Sequence, residues 1–296
     1  MMLGLGPALV DYINLIDAYP PSGGHCVVKE TVKMSGGAGA NVICGLSNFG
    51  IECGFYSTLG EDEDAVFYAK EMKNFGVKFV YTITHPETGR CVIYVDKSGE
   101  RTFFVHPNAS GILSEEFKEK VIRGLKNADY IYLDPFPSET SFEFELEIAV
   151  NAKNSGCEVI LNPGYPYASK GFEKLEEMLV YCDMLFMSKF ELDCLKVDEM
   201  KIGEVVDLVV VTKGGEGSIA IRDGERFYAE ATTTKVVDTT GAGDAFTAGF
   251  LYAYMKGLEI DKCLKAGNFS ASVNIRKLGA RAYPEKEEMD DFLSNL

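Results

Sequence analysis

At 296 residues, 46% of them hydrophobic, the chain has material for one large core, or for a core with a small appendage. A formal charge of −16, from 29 Lys and Arg against 45 Asp and Glu, argues against nucleic acid or anionic membrane as partners. Eight cysteines without a CxxC pair, three histidines at no metal-ligand spacing, no apolar leader before Asp11 and no apolar run near the ~20 residues of a membrane span point to a reducing cytoplasm.

Residues 2–10 read as a buried first strand ending at Asp11. Gly4 and Gly6 are followed by Leu9 where a third glycine would stand, and no helix follows, so the dinucleotide fingerprint is absent. Residues 12–34 mix Pro20-Pro21 and Gly23-Gly24 with an alternating, strand-like run over 26–34. A glycine cluster then opens a helix over 39–48, which Gly50 closes. A strand over 54–59 sets up the βα rhythm of a parallel sheet. Residues 63–75 predict a helix with Val66, Ala69, Met72 and Phe75 on one face and Gly76 as its stop. The rhythm breaks at successive strands over 78–84, 91–96 and 102–106, the last two joined by a turn over 97–100. A small separate sheet is expected from about 12–34 and 78–106.

Beyond Ser114, helices over 114–125, 141–154, 172–180 and 190–195 alternate with strands over 130–133, 158–161, 184–187 and 208–212. A hairpin at Asp223-Gly224 and helices over 245–256, 261–276 and 285–296 finish the chain. The expected fold is α/β: one domain over 1–296, with a mostly parallel central sheet flanked by helices and a small β-sheet above it. Ligands in open α/β sheets bind beyond the carboxyl ends of strands, so Asp134-Pro135 and Asn162-Pro163-Gly164 point at the site.

The most informative stretch is Asp238-Thr239-Thr240-Gly241-Ala242-Gly243-Asp244, running into helix-forming sequence from Ala245. Helix-opening amides lack intrahelical partners and lie at the positive end of the macrodipole, so the backbone of Gly241, Ala242 and Gly243 can hold a phosphate. Phosphate binding alone gains nothing from Asp244, whose charge repels such a ligand unless it meets an attacking hydroxyl. The alternative is an ordinary helix start, with Thr239 or Thr240 as its cap and Asp244 complementing the dipole.

Residues 238–250 (DTTGAGDAFTAGF) resemble the C-terminal signature of the ribokinase/PfkB carbohydrate-kinase family, and Gly36-Gly37-Ala38-Gly39-Ala40-Asn41 resembles its glycine cluster. Asn162-Pro163-Gly164, the run from Val211 to Ser218, and Gly279-Ala280-Arg281 with Pro284 follow in family order, so the resemblance covers essentially the whole chain. It implies a ribokinase-like fold whose small sheet is a lid, and transfer of the γ-phosphate of ATP, with Mg²⁺, to a primary hydroxyl of a small sugar. Asp244 would be the base, with a low pKa expected near a helix N-terminus, and the Gly241, Ala242 and Gly243 amides the cradle for developing charge. Asp11, Gly36, Gly37 and Asn41 would hold the acceptor. Thr212, Lys213, Gly214, Gly217 and Asn268 would hold the nucleotide. Asp238 and the Thr240 carbonyl match positions that bind a monovalent cation such as K⁺ in some members. Many members carry Asn-x-x-Glu near the metal. Here Ser188-Lys189-Phe190-Glu191 keeps Glu191, a water-mediated Mg²⁺ contact, and replaces the Asn.

The rival on the same scaffold is a nucleoside kinase, for which Tyr12, Tyr94, Phe103 and Phe104 could stack a base. A silent nucleotide-binding protein would not need Asp244, and a dehydrogenase lacks its fingerprint. Apolar strand faces at Val27-Val28 and Val92-Ile93-Tyr94 suggest a homodimer through the small sheet.

Overall fold

The computed structural model describes residues 1–296. Its strands are β1 (Met2–Leu5), β2 (Leu9–Leu15), β3 (Glu30–Ser35), β4 (Cys53–Leu59), β5 (Lys78–Ile83), β6 (Gly89–Val95), β7 (Arg101–His106), β8 (Tyr130–Leu133), β9 (Glu158–Leu161), β10 (Met184–Ser188), β11 (Leu208–Thr212), β12 (Ser218–Arg222) and β13 (Glu225–Ala229). Nine of them form one sheet in the order β13-β12-β11-β10-β9-β8-β1-β4-β5, parallel except where the β11–β12–β13 hairpins turn back. The other four form a small sheet, β3-β2-β6-β7.

Parallel strands covered by helices on both faces are apolar without alternation, and Val209, Val210 and Val211 are all fully buried. Ala38–Asn48, Ala242–Met255 and Ile260–Asn274 cover one face, where Ile43, Phe246, Phe250 and Leu264 join a single core. Glu115–Leu125 and Ser141–Asn154 cover the other with Phe117, Phe142 and Ile148.

The fold class matches expectation, and four local readings are corrected. The first strand is two. β1 stays in the large sheet, and the chain crosses at Gly6-Pro7-Ala8 into β2 of the small sheet, so Asp11 lies inside β2 rather than at a strand end. Pro7, which has no N–H for a ladder, marks that break in the sequence. The strand near 78–84 belongs to the large sheet: β5 pairs parallel with β4, and a parallel pair needs a crossover, supplied by the helix Glu63–Asn74. That helix buries Ala65, Tyr68 and Met72 and leaves Val66 71% exposed, so its inner face is one residue away from the predicted one. The run over 26–34 is a strand only from Glu30, with Val27 74% exposed.

Residues directly opposite one another in a sheet share a face. Asp11 is paired with Met34 and Cys91, Ile13 with Ile93, and Val95 with Arg101, which places these side chains together on one face of the small sheet. Met34 lies against Gly279 and Arg101 against Asp238, so this face is turned toward the segment that leads into the helix start at residue 241.

Candidate active site

The helix Ala242–Met255 begins at Gly241, whose φ of 75° is left-handed and whose Cβ would lie 2.6 Å from Cα of Ala280. No side chain caps it, so neither Thr239 nor Thr240 plays the ordinary capping role. The amides of Gly241, Gly243 and Asp244 have no partner within the chain and together make a candidate anion cradle, whereas the Ala242 amide, expected from the sequence to be part of it, donates to the Thr239 carbonyl at 3.3 Å.

Asp244 stands in the first turn of this helix. Its Oδ2 accepts a 2.8 Å bond from Nδ2 of Asn41, whose Oδ1 accepts from Nε of Arg281 at 2.9 Å. Arg281 is fixed in turn by donating to Ser35 Oγ and the Gly36 carbonyl. The low pKa expected for Asp244 is corrected. Burial pushes it up to about 6, reinforced by the charge of Glu191, while the Asn41 bond and Arg281 only partly offset that rise. Burial is thus the largest influence on this carboxyl, and a carboxyl raised in this way is better suited to accept a proton than an ordinary one.

Asp11 rests against Gly36, where a Cβ would fall 2.3 Å from its Oδ2, so only glycine admits the carboxylate. Burial raises Asp11 to about 7, Arg281 opposes the shift and Asp244 adds to it. A further carboxylate, Asp134 at the tip of β8, accepts the Gly39 N–H at 2.8 Å and is also lifted to about 7, chiefly by burial. The site therefore gathers three desolvated carboxyls beside one buried guanidinium. Sequence reading placed Asp134 near the site and matched Arg281 to the family order, but missed what both do. Asn41, expected to hold a hydroxyl, instead links Arg281 to Asp244, with one amide proton left over.

A cavity of about 440 Å³ adjoins the cradle, lined by Thr212, Gly214, Gly217, Thr239, Ala242 and Gly243 among others. Lys213 is not on its lining. Asn268 is, but its amide donates to the Ala229 and Glu230 carbonyls and its Oδ1 accepts from Ser218, so it holds the cavity wall in place.

Glu191 and Ser188 form a capping box at the start of Lys189–Leu195: Glu191 Oε2 accepts from the Ser188 amide and hydroxyl, and Ser188 Oγ accepts the Glu191 amide. The S-x-x-E spacing announced this in the sequence, where the comparison with Asn obscured it. No three His, Cys, Asp or Glu side chains converge to hold a metal unaided. A Mg²⁺ that arrives with phosphates needs only one or two carboxylates, and Glu191, with Oε1 uncommitted, fits such a water-mediated contact.

Beside Asp238 and Thr240, which match positions that hold a monovalent cation in some family members, stands a guanidinium. Arg101 of β7 donates to Asp238 Oδ1 and Thr240 Oγ1, each at 2.5 Å. Burial alone would raise Asp238, but the Gly279 and Thr240 amides and Arg101 together hold it below the ordinary value.

The pattern described as the pfkB family carbohydrate kinase matches residues 8–287. A protein of Archaeoglobus fulgidus, described as an uncharacterized sugar kinase, is 31% identical over 248 residues, 80% of this chain and 96% of its own. The nucleoside kinase of Methanocaldococcus jannaschii is 28% identical over 94% of this chain and 91% of its own. The crystal structure of a ribokinase from Thermotoga maritima superposes with a TM-score of 0.86 at 26% identity, covering 100% of this chain and 99% of that one. With the cradle, its carboxylate and the adjoining cavity already in place, this chain belongs to the pfkB family of carbohydrate kinases.

Proposed function

We propose that the protein transfers the γ-phosphate of ATP, with Mg²⁺, to a primary hydroxyl of a small polyhydroxylated acceptor, a free sugar in the first reading. The observation that carries this is the chain Arg281–Asn41–Asp244 beside unpartnered helix amides that open onto the 440 Å³ cavity. Asn41 engages Oδ2 of Asp244 and leaves Oδ1 for the acceptor's O–H. Ionised Asp244 orients that hydroxyl and takes its proton as the bond to phosphorus forms, while the Gly241, Gly243 and Asp244 amides meet charge on the transferring group. Asp11 accepts bonds from neighbouring hydroxyls and so fixes which oxygen faces Asp244. Glu191 would hold Mg²⁺ through a water molecule, and the ion would supply neutralisation of the phosphate charge. The small sheet acts as the lid that excludes water, and the eight free thiols suit a reducing cytoplasm.

An ADP-release assay with ATP and Mg²⁺ against pentoses, hexoses, sugar phosphates and nucleosides tests this reading, and no turnover with any of them overturns it. One observation favours a nucleoside as acceptor. The lid face toward the site is apolar around Ile13, Cys91, Ile93 and Met34, which suits a base better than a ring of hydroxyls. Of the aromatics expected to stack a base, Phe103 shares that face, being paired with Ile93; Tyr12, Tyr94 and Phe104 lie on the other.

The Mg²⁺ contact has its own check. Glu191→Gln keeps a capping-box partner yet loses the charge, so the Mg²⁺ concentration for half-maximal rate should rise. Ser188→Asn keeps a good N-cap and should leave activity similar or modestly higher. An unchanged Mg²⁺ requirement in Glu191→Gln removes this segment from the site.

A homodimer through the lids is also proposed, on a shifted surface. Ile93 is buried, whereas Phe103, Phe104 and Val105 on the edge strand β7 are about half exposed. Light scattering at micromolar concentration should give a dimer, and Phe104→Lys should weaken it; a monomeric wild type counts against this.

A further inference from the structure

Asp238 is the hinge-pin of the cradle. Its side chain is 5% exposed, Oδ1 accepts the Thr240 N–H and Oδ2 the Gly279 N–H, both at 2.8 Å. These bonds tie the strand of chain that enters the cradle to the 279–281 segment, which also supports Gly241 through Ala280 and carries Arg281. A buried carboxylate held by neutral amides still needs an opposite charge, and its ion-pair partner is Arg101, 137 residues away in sequence. That guanidinium also donates to Thr240 Oγ1, so it grips the loop at two points. It comes from the small sheet, at the first residue of an edge strand whose next residues are exposed. The cradle is thus neutralised and shaped by a group that is present only while the small sheet is docked.

On the kinase reading above, we infer that Arg101 is a positioning residue that couples docking of the small sheet to the shape of the phosphate cradle, and that its guanidinium takes the place of a monovalent cation there. Docking of the lid and assembly of the cradle are then one event, which keeps the donor phosphate from meeting water in a half-built site. With Arg101 removed, Asp238 and the Thr240 oxygens form an anionic, oxygen-lined position for a monovalent cation from solution.

The experiment compares wild type, Arg101→Ala and Arg101→Lys in KCl and in N-methylglucamine chloride at equal ionic strength. Wild-type kcat should be the same in both salts. In N-methylglucamine, Arg101→Ala should lose about a hundredfold in kcat with a small change in the KM for ATP, as expected when reacting groups are misplaced rather than binding lost. KCl or guanidinium chloride should recover much of that loss, and Arg101→Lys should fall between. Thermal unfolding gives a reading that needs no turnover: KCl should raise the Tm of Arg101→Ala relative to N-methylglucamine and leave wild type unmoved. A wild type that requires K⁺, or an Arg101→Ala whose kcat and Tm ignore the cation, overturns the inference. A wild type silent with every acceptor but showing the Tm pattern would overturn the kinase reading alone and leave the cation-substituting role of Arg101 standing.

Discussion

Asp244→Asn is expected to lower kcat by about a thousandfold or more while ATP binding stays nearly intact, because the amide keeps the cradle and the Asn41 contact but cannot take a proton. A variant retaining a tenth of wild-type activity overturns the assignment. In the wild type the acceptor's kcat/KM should fall as pH drops through the range of about 6 to 7, since both Asp244, raised to about 6, and Asp11, raised to about 7, act as carboxylates. The two influence each other, so the limb belongs to the pair. Stability should move the opposite way. A carboxyl whose folded pKa lies above its unfolded one binds more protons when folded, so it costs stability as pH rises from 3.8 to about 6. Asp244→Asn removes that cost, and its Tm should exceed wild type most clearly above this window and converge with it below. A dead enzyme that is more stable at neutral pH is the signature of a charge kept buried for chemistry.

Asp11→Ala should reduce the acceptor's kcat/KM on the order of a thousandfold, from two charge-assisted hydrogen bonds to hydroxyls, and leave ATP affinity almost unchanged. Its separation from the proposed donor side follows from its place in β2 of the small sheet against Gly36, whereas the 440 Å³ cavity is lined from the end of β11, the loop over 231–239 and the last helices. Acceptor kinetics at the wild-type level would make Asp11 a bystander, and the raised Asp134 the next carboxylate to test.

The βα rhythm, the two-sided burial of strands such as β11 and the amide-rich start at Gly241 were all legible in the sequence, because each depends on neighbours a few residues apart. Membership of a kinase family was legible for the same reason, since its signatures are short and contiguous. What the sequence misjudged depends on distance. It took 2–10 as one strand and 78–84 as part of the small sheet because periodicity says that a strand exists, not which sheet it joins; Pro7 and the βαβ crossover decided that. It assigned Asp244 a low pKa from the helix dipole, a local influence, whereas burial, the largest cause of its shift, and the charge of Glu191 come from the tertiary structure and raise it. Arg281 on Asn41 and Arg101 on Asp238 join residues 240 and 137 positions apart, and no spacing rule reaches that far. The sequence by itself determined most of the elements and the family, and it singled out Asp244 as the candidate base. Only the folded chain decided which charges face one another, because a buried charge takes its energy from whatever the tertiary structure brings within a few ångströms of it.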